Sequence, residues 1–277
     1  IKKIKINNKE IQKRKDLLGL NNVVIFSPEE ESITKNGPQN RRKFFDRVFS
    51  IVSREYLDDL MSYNSLLQQR NAVLRFASKK KINKQIEIWN EPFSEKAENL
   101  WKKRKNFVAE FLNVFKETVK TLEIGILCDV YYDQTTTKEE LLTSLEKNKE
   151  KEVVLGFTTF GPHRDEFLFK WGGRELRKHG SQGEHKMYLA MLKITELLFI
   201  SKKTNKNPIF LIDDIFACLD IERSKKLLRF VEKLRLHKQS KPQTIITTTD
   251  VLELQKEGFF LNYNKIKKQK LQISETS

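Results

Sequence analysis

Ile209-Phe210-Leu211-Ile212-Asp213-Asp214 is the stretch that decides the fold. Four apolar residues in a row, bounded by polar sequence, read as a buried strand, and two carboxylates cap its C-terminal end. In open α/β sheets, ligands bind outside that end of the strands. Working outward, a helix is expected from Arg223 to Leu236, followed by the strand Thr244-Ile245-Ile246-Thr247. Upstream, helical spacing runs from Glu184 to Lys202. This alternation of helices with continuously apolar strands argues a parallel α/β core. Val23-Val24-Ile25-Phe26 reads as another buried strand, stopped by Ser27-Pro28. A short hairpin is expected between Ile4 and Ile11, turning at Asn7-Asn8.

The pattern changes to helical period from Pro38 to about Leu122. Phe44, Phe45, Val48, Phe49 and Val52 recur at three- and four-residue spacing, as do Leu57, Leu60, Leu66 and Leu67. Ala97 to Phe115 makes a further long amphipathic helix. Its aromatic residues, like Phe44 and Phe45, are expected in the core, and its Lys102-Lys103-Arg104-Lys105 run on the solvated face. Strands are then predicted at Ile124–Tyr132, Phe157–Phe160 and Phe167–Trp171, with a helix from Leu141 to Lys149. A mainly helical stretch therefore divides two stretches of α/β and β character.

Composition narrows the class. The 277 residues carry 53 basic and 37 acidic side chains, a net charge of +16, with 38% hydrophobic and 10% aromatic residues. That excludes a disordered, collagenous or disulfide-rich chain. No apolar run is long enough to span a bilayer, and no export signal opens the chain. Cys128 and Cys218 have no metal-ligand spacing and read as reduced thiols of the cytoplasm. The positive excess, spread over both halves, points to a polyanion, nucleic acid first. A coding bias towards Lys and Asn is the competing explanation.

The acidic pair is a Walker B arrangement: a carboxylate there can hold Mg²⁺ and its neighbour can orient an attacking water. Leu219-Asp220 follows at the spacing of a D-loop. Gly180-Ser181-Gln182-Gly183 opens the helix that precedes the strand, where bare N–H groups and the helix dipole make an anion site. An ordinary Ser-capped turn is the alternative. Together these features resemble the ABC-type ATPases, in which the signature turn contacts the γ-phosphate of a nucleotide held by a second subunit.

The resemblance then becomes specific. Gly156-Phe157-Thr158, Gly161-Pro162-His163-Arg164-Asp165, the Ser181-Gln182-Gly183 turn and Asp213-Asp214 resemble the RecF family of bacterial recombination mediators. Val23 to Glu29, Gly37-Pro38, Arg41-Arg42 with Phe44 and Asp46, Gln69-Arg70-Asn71 and Gln243 to Thr249 follow the same family in order. The resemblance implies an ABC-type P-loop ATPase head, related to SMC heads but without their coiled coil. Its ATPase lobe would comprise residues 1–28 and 150–277, with 29–149 as a helical lobe. It implies ATP and Mg²⁺ as cofactors, DNA binding at single-stranded gaps, ATP-driven dimerisation with slow hydrolysis, a part in the SOS response, RecR and RecO as partners, and a nucleoid-associated cytoplasmic location. No Gly is followed by Lys, so the phosphate loop and first strands are read as missing from the N-terminal side, and the chain as given is not expected to hydrolyse ATP. Cys218 and Glu184-His185 also depart from the family pattern.

By carry-over, Asp213 is the metal-associated carboxylate and Asp214 the catalytic, water-orienting one. Ser181, Gln182 and Gly183 would reach ATP on an opposite protomer, Asp220 would lie at that interface, and Thr248 or Thr249 would take the switch position. Arg41, Arg42, His163 and Arg164 are candidate DNA contacts; the competing readings are a helix start for the first two and a buried, hydrogen-bonded turn for the others. Arg70 and Asn71 are expected to stabilise the helical lobe. A non-hydrolysing DNA- or RecR-binding module and another SMC-like ATPase are the alternatives. A nuclease would need a second acidic or His cluster that the sequence does not offer.

Overall fold

The computed structural model describes residues 5–6, 9–10, 17–76, 82–214, 219, 221–236 and 240–247. In chain order the elements are β1 (Lys5–Ile6), β2 (Lys9–Glu10), β3 (Val23–Phe26), α1 (Ser32–Lys35), α2 (Pro38–Val52), α3 (Arg54–Phe76) and α4 (Ile82–Thr121). Then come β4 (Cys128–Asp133), α5 (Lys138–Lys147), α6 (Lys149–Leu155), β5 (Glu166–Trp171), β6 (Arg174–Glu175), α7 (Leu176–His179) and α8 (Gln182–Thr204). The described part ends with β7 (Ile209–Ile212), α9 (Ile221–Lys233) and β8 (Thr244–Ile246). The hairpin and the three strands lie where the apolar patterning puts them.

β3, β7 and β8 form one parallel sheet with β7 in the centre, and Phe26, Ile212 and Ile246 stand level in its register. One face, Val24, Phe26, Phe210 and Ile212, is no more than 1% exposed. On the other face, Val23, Ile25 and Ile245 are 40, 43 and 48% exposed, without a covering layer among the described residues. β4, β5 and β6 form a separate antiparallel sheet. Its inward row of Phe167, Phe169 and Trp171 alternates with half-buried residues, as a one-sided sheet requires.

Helix α2 starts with Pro38 in its first turn, where a missing N–H costs nothing. Its Phe45 stacks on Phe167 of β5 with ring centroids 4.0 Å apart, and meets Phe111 of α4 edge to face at 5.2 Å. Phe199 of α8 joins the same cluster. One aromatic core thus ties the helices of the 29–149 stretch to both α8 and β5. Ordered aromatic pairs of this kind add about 0.5–1.5 kcal/mol each beyond area burial.

Three expectations need correction. Residues 124–127 are not strand: Glu123, at φ +48°, turns the chain out of α4, and pairing begins only at Cys128. Phe157–Phe160 is not strand either. Gly156, at φ +71°, ends α6, and the next N–H groups are taken by side chains: Thr158 donates to Asn71 Oδ1 at 2.8 Å and Thr159 to Glu152 Oε1 at 2.6 Å. A backbone satisfied in this way has no donors left for a ladder. Finally, Arg104 leaves the basic run on α4 and is 1% exposed, whereas Lys102 and Lys105 are solvated. Arg70 and Asn71 do stabilise the helical stretch: Arg70 pairs with Glu152 of α6 at 2.7 Å, with both side chains fully buried.

Candidate functional site

The level register of β3, β7 and β8 brings Ser27, Asp213 and Thr247 to one edge of the sheet. Asp213 N donates to Phe26 O at 2.8 Å and Thr247 N to Ile212 O at 2.9 Å, so the ladder runs right up to the carboxylates. Beyond it the chain bends, with Asp214 at φ +45°, a left-handed conformation uncommon outside glycine, Asn and Asp. The Thr247 hydroxyl joins the pair: it donates to Asp213 Oδ1 at 2.5 Å and accepts from Asp214 N at 2.9 Å. Asp213 is exposed and Asp214 half-buried. Thr247 is the site residue that sequence reasoning missed. The expected switch residues Thr248 and Thr249, like Asp220, lie outside the described residues.

Two carboxylates and a hydroxyl are hard oxygen donors. Among the described residues, no group of three or more His, Cys, Asp and Glu could hold a metal. Such an edge does not suit a metal caged by protein alone. It fits Mg²⁺, which is usually held by one or two carboxylates with waters and substrate phosphates completing its octahedron. The bond from Thr247 fixes Asp213 Oδ1 in place at the sheet edge.

The Ser181 turn is built by a reciprocal cap. Ser181 Oγ accepts from Glu184 N at 3.3 Å, and Ser181 N donates to Glu184 Oε2 at 2.7 Å. Ser181 and Gln182 are exposed. Gly183 lets the Arg223 guanidinium lie against its backbone: a Cβ there would stand 2.2 Å from Nη1 and displace it. One turn on, His185 is buried, and burial, reinforced by Lys35, lowers its pKa.

Arg42, His163 and Arg164 are brought together, with Lys43, along a groove of about 810 Å³ at the N-terminal end of α2. Arg42 is half-buried and donates to Asp165 O at 2.7 Å, while Lys43 and Arg164 are exposed. Arg41 is not part of this groove. It is 2% exposed, its Nε and Nη2 donating to Glu166 Oε1 at 3.0 and 2.8 Å and its Nη1 to Asn36 O at 2.8 Å. A guanidinium spent in this way ties α2 to β5.

His163 is also committed. Its Nε2 faces Thr158 O at 3.0 Å, and a carbonyl only accepts, so Nε2 carries the proton. Nδ1 then accepts from Tyr63 Oη at 2.5 Å. Burial pushes the imidazole pKa down to about 4, so at neutral pH His163 adds no charge to the groove. The two arginines and Lys43 supply its positive field.

Asp165, the last residue of the Gly-Pro-His-Arg-Asp run, is fully buried and accepts from five donor groups. These are Trp101 Nε1 at 2.9 Å, Arg104 Nη1 at 2.7 Å, Tyr132 Oη at 2.6 Å, and the N (3.1 Å) and Oγ1 (2.6 Å) of Thr135. Arg104 extends the hub to Asp46 at 2.9 Å and to Pro162 O at 2.8 Å. The hub thus fixes the loop that presents Arg164.

No family model matches the chain. Proteins named DNA replication and repair protein RecF do. One from Azobacteroides pseudotrichonymphae is 37% identical over 228 residues, covering 82% of this chain and 62% of its own length. One from Agathobacter rectalis is 33% identical over 264 residues (93% and 70%), and one from Clostridium botulinum 33% over 281 residues (96% and 74%). The chain thus spans less than two thirds of the first of these relatives. Among solved structures, the recombination mediator protein RecF with ATP in the RecFOR pathway superposes with a TM-score of 0.76 at 27% identity, covering 90% of this chain and 68% of the other. A second RecF structure of that pathway gives 0.73 at 26%. Sequence and fold agree, with the parallel sheet and flanking helices of an ABC ATPase head: the chain belongs to the RecF family.

Proposed function

We propose that this chain carries the DNA-gripping and nucleotide-responsive parts of a replication and repair protein of the RecFOR pathway. The observation that carries this reading is the sheet edge, where the Thr247 hydroxyl links Asp213 Oδ1 to Asp214 N. Such an edge suits a nucleoside triphosphate. Asp213 and Thr247 would hold Mg²⁺, which when bound supplies charge neutralisation at the phosphates. Asp214, on its bent backbone, orients the attacking water and takes its proton. The exposed Ser181, Gln182 and Gly183 turn reaches a nucleotide on a second copy, with Asp220 at that contact and Thr248 beside the switch strand. Residues 1–28 and 150–277 act as the ATPase lobe and 29–149 as the helical lobe.

DNA is held through its phosphates by Arg42, Lys43 and Arg164. This gives binding that is independent of sequence and strongly dependent on salt, and that acts at gaps together with RecR and RecO. Among the described residues, no helix is long and apolar enough to cross a membrane.

The test is DNA affinity of the protein expressed from its whole reading frame, measured with ATP and with ADP. Tighter binding with ATP, lost in Asp213→Asn, supports the reading, and unchanged hydrolysis in Asp213→Asn sinks the metal assignment. DNA binding that is indifferent to nucleotide would favour the non-hydrolysing binding module.

A further inference from the structure

A groove of about 1040 Å³ runs between the C-terminal end of α4 and α9, well away from the Arg42–Arg164 groove. It continues into a second trough of about 340 Å³ that shares Glu117, Leu198 and Arg235 with it. Together they make about 1,380 Å³ of adjoining space, more than the roughly 300–1,000 Å³ of a small-molecule site.

The floor is apolar: Leu122, Leu198, Phe230 and Leu234, with Leu198 and Phe230 partly open to solvent. The lining of the larger groove holds six cations against three carboxylates, a net charge of +3. Lys226, Arg229, Lys233 and Arg235 are all exposed. Lys226 donates to the backbone oxygen of Glu123 and Arg235 to those of Glu232 and Leu234, contacts that leave their charge uncompensated.

We propose that this groove docks an acidic amphipathic segment of a protein partner, with apolar side chains on the Leu122–Phe230 floor and carboxylates against the α9 rim. A channel between two helices, with apolar positions below and charge above, is the shape that accepts a helix by its apolar face. Nucleic acid fits less well, because the apolar floor offers nothing to phosphates and Glu117, Glu123 and Glu222 repel them. Arg223 lines the groove and also lies against Gly183, next to the Ser181 turn.

The probe is a labelled synthetic helix with Leu at three- and four-residue spacing and Glu elsewhere, followed by fluorescence anisotropy. Its controls are the same helix with Gln for every Glu, and a labelled oligothymidylate. The acidic helix is expected to bind the protein at least tenfold more tightly than the Gln helix. Arg229→Glu with Lys233→Glu, both on the exposed side of α9, should weaken it at least tenfold, while Arg42→Ala with Arg164→Ala leaves it unchanged. Circular dichroism melts check that both variants are folded. Equal binding of the two helices, which needs no variant, overturns the proposal, as does undiminished binding to the charge-reversed protein. Oligothymidylate binding that is lost in the charge-reversed protein, with no binding of the acidic helix, assigns the groove to nucleic acid and also overturns it. The Arg42 and Arg164 variant reports separately on the DNA reading.

Discussion

Two carboxylate-bearing loops sit in this molecule and are built in opposite ways. Asp165 is fully buried and accepts from five donor groups of Trp101, Arg104, Tyr132 and Thr135. Asp213 is exposed, with Oδ1 held by Thr247, and its neighbour Asp214 sits on a left-handed backbone. A carboxylate saturated by neutral and cationic donors in the interior has no lone pair left for a ligand. One exposed at a sheet edge and steadied by a hydroxyl can still meet a ligand from solvent. Saturation, more than the acid itself, separates a residue that holds the fold from one that can do chemistry.

The largest effect expected from breaking this contrast is at the hub. Asp165→Asn leaves Arg104 buried opposite a neutral amide, and removing one partner of a buried pair costs about 3–5 kcal/mol. Urea denaturation should show the midpoint falling accordingly with little change in slope. A shift as small as that of a surface substitution would show that Asp46 alone satisfies Arg104.

Next in size is a pH effect at the same loop. Burial holds His163 down to about 4, below its value in the unfolded chain, so folding favours the neutral ring. Stability is then full above the unfolded pKa of about 6.5 and is lost as pH falls towards 4, because the unfolded state binds the proton first. The slope approaches about 1.4 kcal/mol per pH unit between those limits. Comparing His163→Gln with the parent over pH 4–7 isolates it: the variant lacks this component, and parallel curves would refute the assignment.

The arginines of the groove should give a smaller effect, and one confined to binding. Arg42→Ala and Arg164→Ala are each expected to lower DNA affinity a few-fold and to reduce the slope of log affinity against log salt by about 1. Arg41→Ala should leave that slope untouched, since Arg41 is spent on Glu166 and Asn36, and should instead lower stability. Equal loss of slope in Arg41→Ala and Arg42→Ala would place the buried residue at the DNA after all.

Much of this was open to reading in the sequence, and what was hidden has physical causes. Strands of parallel sheets carry apolar residues on both faces and so appear as apolar runs, which is why Val23–Phe26 and Ile209–Ile212 stand out even though one face of the sheet is open among the described residues. Arg104 was concealed by its basic neighbours, although a signal was there. Ala97, Trp101, Arg104, Val108 and Phe111 recur at four- and three-residue spacing, which puts Arg104 on the buried stripe. Phe157–Phe160 has strand-like composition, but its backbone donors go to Asn71 and Glu152, distant in sequence or across a helix end. Thr247 was missed for a similar reason. That Thr247 meets Asp213 depends on the register of β8 against β7, a non-local quantity that no local pattern carries.

The smallest stability effect is expected where the functional effect is greatest. Asp213→Asn keeps an acceptor for the Thr247 hydroxyl and removes a charge that is solvated, so its unfolding free energy should stay within about 0.5 kcal/mol of the parent. The amide should nonetheless abolish the difference in DNA affinity between ATP and ADP, because a neutral ligand at the sheet edge cannot replace a carboxylate beside Mg²⁺ and phosphates. Thr247→Val sharpens the point. It removes the hydroxyl that links Asp213 Oδ1 to Asp214 N without touching the charge, so it should weaken the ATP response without removing it. Denaturation and nucleotide-dependent DNA binding, measured on the same preparations, decide the matter. If Asp213→Asn destabilised the fold as much as Asp165→Asn, the sheet edge would be a second structural hub, and the contrast between the two loops would collapse.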